Sequence, residues 1–343
     1  MKASTSKITF AVSVCSSLLV AGCGGGGGSS NNGGSFTASN VNSSNAQDVA
    51  AQAFTASASL NSQSSTASSV GSALPTGVSI DVGSSGLIGA SLQQLYGGLR
   101  ARTAGNLATG VQTTDTAPCS GGGSITATGT VATQGTVSNG DSLSMTANNC
   151  VEGGLKLNGG MSITFSNVSG TVGSNSAWGA TMAVQFSGLS IEANGDLVRA
   201  NGDMTLAYNQ TSSVVANASA SGSSLQLSLA RNGTTIVDRT LSNFGYDSSV
   251  NSDLFTYSAN YTLSGNLARL GNTSYSVKTN TAFKQTGSAF PSAGSFTVTA
   301  TDKTSATLTA LDSINVRIDL DTNGDGAIDG SINTTWADLK KRV

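Results

Sequence analysis

The sequence predicts a mainly β protein: one large antiparallel sheet, built as a curved open sheet, a barrel-like closure or a sandwich, with one or two short N-terminal helices. Three observations carry this expectation. From residue 121 onward apolar residues alternate with Ser, Thr and Asn, as in 142–145, 161–165, 225–229, 296–298 and 314–320. That period of two belongs to strands with one face on a core and one on water. Asn-Gly pairs begin at Asn139, Asn194, Asn201 and Asn232, and they mark tight hairpins because both residues tolerate positive φ. No long helical pattern separates the strands, about 11 to 14 by this periodicity, so crossover helices are missing and pairing is antiparallel.

The elements in chain order begin with a leader. Lys2 and Lys7 precede an apolar run at 8–20, which ends in Val20-Ala21-Gly22-Cys23. The run is too short for a helix across a bilayer core of about 30 Å, and it has the length of a signal-peptide core. The small residues before Cys23 resemble the lipobox of bacterial lipoproteins. This resemblance covers about the first 25 residues and implies removal of residues 1–22 and attachment of a diacylglyceryl group to the Cys23 thiol. No acidic residue follows Cys23 directly, so the resemblance implies the outer membrane rather than inner-membrane retention; either face of it stays open. Acyl chains at about 0.8 kcal/mol per buried CH₂ make such attachment effectively permanent. Residues 23–44 are dominated by Gly, Ser and Asn and read as a tether with an r.m.s. reach of roughly 25 Å.

Residues 45–118 read as a small helical or irregular segment packed on the sheet. In 45–60, Asn45 can cap, and Val49, Ala50, Ala53, Phe54, Ser57 and Leu60 recur at helical spacing. A second, glycine-rich helix candidate spans 87–102. Residues 119–343 are then the antiparallel β domain, and Trp178 reads as one of its core residues. At its end Thr335 and Asp338 form a capping box for a terminal helix, with Lys340, Lys341 and Arg342 at the negative end of the dipole.

Composition narrows the function classes. Without residues 1–22 the chain carries 14 basic and 18 acidic side chains, a net charge of −4, and no basic cluster outside the last residues, which excludes nucleic acid as a partner. Cys15 leaves with the leader and Cys23 is lipidated, so Cys119 and Cys150 remain as a pair. In an oxidising periplasm such a pair bonds. The alternative is a catalytic thiol, but the chain has no His to activate one. The same lack excludes a Ser-His-Asp triad and His-based metal sites. Glu152 and Glu192, the only glutamates, leave carboxylate chemistry formally open.

The sharpest local motif is Asp321-Thr322-Asn323-Gly324-Asp325-Gly326-Ala327-Ile328-Asp329. Asp321, Asn323, Asp325, the Ala327 carbonyl and Asp329 match the first donors of an EF-hand-like calcium loop, although the twelfth position is Ile332 instead of Glu and the flanks read as strands. Calcium is the one cofactor the sequence suggests. A hairpin turn in which the same residues serve backbone geometry is the alternative. The expected protein is therefore a lipid-anchored, non-catalytic structural or interaction module of the outer membrane. Its partners are the membrane, through Cys23, and an envelope protein, glycan or lipid. Two further readings stay open: a carrier holding an apolar or lipid ligand between sheet and helices, and a carbohydrate-binding or glycoside-acting surface protein.

Overall fold

In the computed structural model, residues 39–69, 112–130, 132, 136–152, 154–172, 174, 176–287 and 289–343 are described. Cys23, the leader, most of the tether and the helix candidate at 87–102 lie outside them. Helix α1 (Ala46–Ser69) is followed by the strands β1 (Thr113–Pro118), β2 (Ser124–Thr130), β3 (Ser142–Glu152), β4 (Leu155–Ser169), β5 (Trp178–Ala193), β6 (Asp196–Ser212) and β7 (Val215–Arg231). The chain continues through β8 (Thr234–Asn251), β9 (Leu254–Leu267), β10 (Gly271–Thr286), β11 (Ala293–Thr299), β12 (Ser305–Ala310), β13 (Asn315–Asp321) and β14 (Gly330–Thr335) to helix α2 (Trp336–Lys340). The 14 strands form one sheet in which each pairs only with its sequence neighbours, and every ladder is antiparallel. The sheet is an open meander. β1 and β14 do not pair, so neither barrel nor sandwich forms.

Tight turns make this possible. Asn194-Gly195 and Asn232-Gly233 are two-residue hairpins with φ of 50° and 83°, and 48° and 79°, as the sequence predicts. Asn139-Gly140 turns the chain just before β3, where the Asn139 amide oxygen accepts from Val168 N at 2.7 Å. Asn201-Gly202 corrects the sequence reading: it lies inside β6 and makes a bulge. The period-two signal cannot separate a bulge from a turn, because both need a residue at positive φ.

That bulge belongs to a crease. Strands β4 to β10 are 14 to 18 residues long, beyond the usual 3–10. Along these strands and the adjoining β3 the register shifts between Ala147 and Cys150, Asn158 and Gly160, Phe186 and Leu189, Gly202 and Thr205, Ser242 and Gly245, and Lys278 and Phe283. Bulges bend strands and raise twist locally, so a row of them folds the sheet along one line. Neighbouring side chains satisfy the backbone N–H groups released there. Asn158 Oδ1 accepts from Asn149 N (2.7 Å), Asn201 Oδ1 from Gly188 N (3.0 Å), and Asp203 from Ser223 N (2.8 Å) and Ser224 N (3.2 Å).

The crease wraps the sheet around α1. Val49, Ala50, Ala53, Ala56 and Leu60 are buried against the inner face, and the predominance of Ala lets the helix axis approach closely. Phe54 meets Trp336 and Phe283 with ring centroids 4.5 and 6.4 Å apart. The helix start differs from expectation. Asn45 turns its side chain back to Asn42 N (2.9 Å) and the Asn40 carbonyl (3.0 Å), while Asn42 Oδ1 accepts from Ser44 N (2.9 Å) and Asn45 N (3.2 Å). Upstream, within the span read as tether, Ser39 and Val41 are already fastened to the sheet. Ser274 N donates to Ser39 Oγ at 3.0 Å and Val41 N to Thr304 Oγ1 at 2.7 Å. The sheet itself begins at Thr113, six residues ahead of the boundary expected at 119.

Candidate functional site

Side chains of even and odd parity on the long strands separate cleanly. Ala180, Tyr208, Ala218, Ser248 and Tyr257, paired in register across β5 to β9, point to the α1 side. Their neighbours point outward in two lateral rows. One row runs Gly179, Asn209, Asn217, Ser249, Thr256; the other runs Thr181, Ala207, Ser219, Asp247, Ser258. These rows floor an open trough of about 610 Å³ on the outer face, closed at the β4 end by Asn167 and Ser169. Five strands at about 4.8 Å give it a length of roughly 19 Å. It is hollow because its floor carries Gly, Ala and Ser where larger residues would fill the bend beside the crease.

The electrostatics of the trough are simple. Among the described residues that line it, Asp247 is the only charged one. Elsewhere on the sheet several polar side chains close on one another across strands: Thr114 on Thr128, Thr116 on Thr126, Thr297 on Thr307, Arg231 on Asp196 and Ser331 on Asp319. Along the trough Asn167 Nδ2 donates to Thr181 Oγ1 at 3.2 Å, while Asn209, Asn217, Ser219, Asp247, Ser249 and Ser258 stand side by side without such pairing. Such a surface offers donors and acceptors in an alternating lattice, suited to a partner rich in hydroxyl, amide or amine groups. Its two lining aromatics, Tyr208 and Tyr257, are buried, as are Trp178, packed against Tyr208 at 4.6 Å, and Trp336, whose indole N–H donates to the Pro291 carbonyl at 3.1 Å.

The other residues singled out by the sequence fall in separate places. Cys119 and Cys150 form a disulfide with Cα atoms 5.5 Å apart, tying the end of β1 to β3 across β2. The 321–329 segment joins β13 to β14, two strands as expected, and its donors are turned on the loop itself. Asp321 accepts from Gly324 N (2.7 Å) and Gly326 N (2.8 Å), Asn323 from Asp325 N (2.9 Å), and Asp325 from Ala327 N (2.8 Å). Asp329 accepts from Thr322 N (2.7 Å) and Thr322 Oγ1 (2.8 Å), bonds that hold its carboxyl below the usual range. Among the described residues no three His, Cys, Asp or Glu side chains gather as a metal-binding group. Glu152 accepts from Ser120 N at 2.8 Å, whereas Glu192 lies 3.8 Å from Lys156; each carboxylate has its own partner.

Sequence reasoning missed two features. The trough depends on bulges whose signals, Asn201-Gly202 and Gly159-Gly160, look like turns. The inner face also holds a polar seam. Tyr261 exchanges a hydrogen bond with Ser57 Oγ at 2.9 Å and donates to the Ala53 carbonyl of α1. Arg239 is buried nearby, and burial pulls its guanidinium down to about 10. Polar residues at core parity are invisible to a period-two reading. Comparison with known proteins returns no match, neither a family model, nor a curated protein, nor a solved structure.

Proposed function

We propose that this chain is a non-catalytic interaction module of the bacterial outer membrane, tethered through a lipid on Cys23 and touching its partner with the outer trough. The carrying observation is the set of outward polar side chains at Asn209, Asn217, Ser219, Asp247, Ser249 and Ser258, gathered over one trough with no hydrogen bond among them. The lattice favours a polar envelope component, protein or glycan, over an acyl chain. The apolar-carrier reading, which places the ligand between sheet and helices, draws no support from this open trough on the face opposite α1.

A photo-crosslinking side chain placed at Asn217 in the full chain, in intact envelopes, tests the reading. It should give a discrete adduct that Ser219→Trp, which fills the trough, abolishes. The same probe at Gln226, exposed on the same strand beyond the crease, should give none. Equal adducts at both positions, or none at Asn217, would reject the trough as the contact surface. The anchor has its own readout: Cys23→Ser should move the protein from membranes to the soluble fraction.

A further inference from the structure

Among the described residues, the last strand of the sheet pairs on one side only and leaves its other edge open. Trp336 N donates to the Ile314 carbonyl at 3.0 Å. By the alternation of antiparallel ladders this directs the main-chain groups of Ile332 and Thr334 toward β13 and those of Ser331, Asn333 and Thr335 away from it. An open edge of this kind is a template for another strand, and proteins that avoid such pairing place Lys, Pro, a bulge or a covering segment there. β14 (Gly-Ser-Ile-Asn-Thr-Thr) has no charged residue and no proline, its pairing with β13 is free of register shifts, and Ser331 and Asn333 are exposed. The opposite edge is guarded: β1 carries Asp115 in its middle and Pro118 at its end.

Apolar side chains flank the same edge. Ile328, in the loop entering β14, and Ile314 and Leu311, in the turn beside its far end, are 66%, 65% and 51% exposed, the three most exposed large hydrophobics among the described residues. A two-fold axis through Asn333 sets two copies of β14 antiparallel and brings the Ile328 end of each against the Ile314 end of the other. About this axis Asn333 meets its own copy and Ser331 meets Thr335, so an uncharged strand sets no charge against an uncharged or like-charged neighbour. β14 is such a strand, and Arg317 on the adjoining strand is already neutralised by Asp319 at 2.9 Å.

We infer that β14 is a self-association edge: a second copy of this chain adds its own β14 antiparallel about Asn333, making one continuous 28-stranded sheet from two 14-stranded ones. The interface is isologous and closes on itself. It stands independently of the trough, whose rows lie on β5 to β9.

The test uses the full chain in mild detergent, with mass measured by light scattering, and a register-specific cross-link. Wild type should run at twice the monomer mass. Asn333→Pro removes only an N–H that faces away from β13, so the ladder to β13 and the circular dichroism spectrum should persist while the mass halves. Asn333→Cys should form a disulfide-linked dimer under mild oxidation, because residues facing each other across such a dyad have Cα atoms about 5.5 Å apart. Ser331→Cys, displaced by two residues from the axis, should cross-link at least ten-fold more slowly. A monomeric wild type, a dimer unaffected by Asn333→Pro, or equal cross-linking at 331 and 333 would each overturn the inference.

Discussion

Gly202→Ala is the sharpest probe of the crease that shapes the outer face. Gly202 has φ of 121°, a region that L side chains rarely adopt, and an added Cβ would sit 1.9 Å from the Ser224 carbonyl oxygen and 3.1 Å from Leu225 Cα. Backbone strain of this kind costs about 1–3 kcal/mol. The clash also forces β6 and β7 apart by about 1 Å. Relieving it weakens the pair with Leu225, which is fully buried, by one or two hydrogen bonds at about 1 kcal/mol each. The expected loss is about 4 kcal/mol. Gly188→Ala is the matched control. It sits on the same crease at φ 59° with nothing within 4 Å of its Cβ, so only left-handed strain of about 1–2 kcal/mol applies. Urea unfolding followed by far-ultraviolet circular dichroism should show Gly202→Ala less stable than Gly188→Ala by 2 kcal/mol or more. Equal midpoints and slopes would refute the claim that close strand approach at the bulge holds the bend.

Two further outcomes follow from the same structure. Cys150→Ser opens the 31-residue span closed by the disulfide and should cost about 3.7 kcal/mol on the loop-entropy formula; a reductant should reproduce the loss in wild type and leave the variant unchanged. Burial raises the Tyr208, Tyr257, Tyr261 and Tyr275 phenols above their ordinary 10.0. The folded state therefore keeps protons the unfolded chain releases, and stability, complete below pH 10, should fall as pH rises beyond it. Absorbance at the phenolate band should rise in step with loss of circular dichroism, and tyrosines that ionise in a still-folded protein would contradict the packing described.

How much of this was legible depends on the kind of signal. Alternation in 225–231 and 234–241 and the Asn232-Gly233 turn specify a hairpin by local chemistry alone, and the structure contains it. The Thr335–Asp338 cap is equally local, with Asp338 N donating to Thr335 Oγ1 at 3.1 Å and the Thr335 hydroxyl donating to Asp338 Oδ2 at 2.8 Å. Whether the sheet closes depends instead on the summed twist of many strands and on where bulges fall, and no single segment encodes that. The trough was hidden for the same reason. Asn209, Asn217, Ser249 and Thr256 sit on four strands and line up only through the register of three successive ladders. The calcium-like motif is ambiguous in the opposite way: a locally specific pattern of Asp, Asn and Gly serves a strand-to-strand turn as well as a cation loop, and here its oxygens accept from the loop's own N–H groups.

Thiol labelling tests the trough as a contact surface most directly. Cys119 and Cys150 are bonded to each other, and under the proposed anchor Cys15 is removed and the Cys23 thiol acylated, so a maleimide reports a cysteine introduced at 219 or 226 over the background of the unsubstituted chain. In intact envelopes Ser219→Cys should be shielded and become reactive on detergent extraction, whereas Gln226→Cys should label equally in both states. A residue 219 thiol as reactive in the envelope as in detergent would mean that nothing occupies the trough.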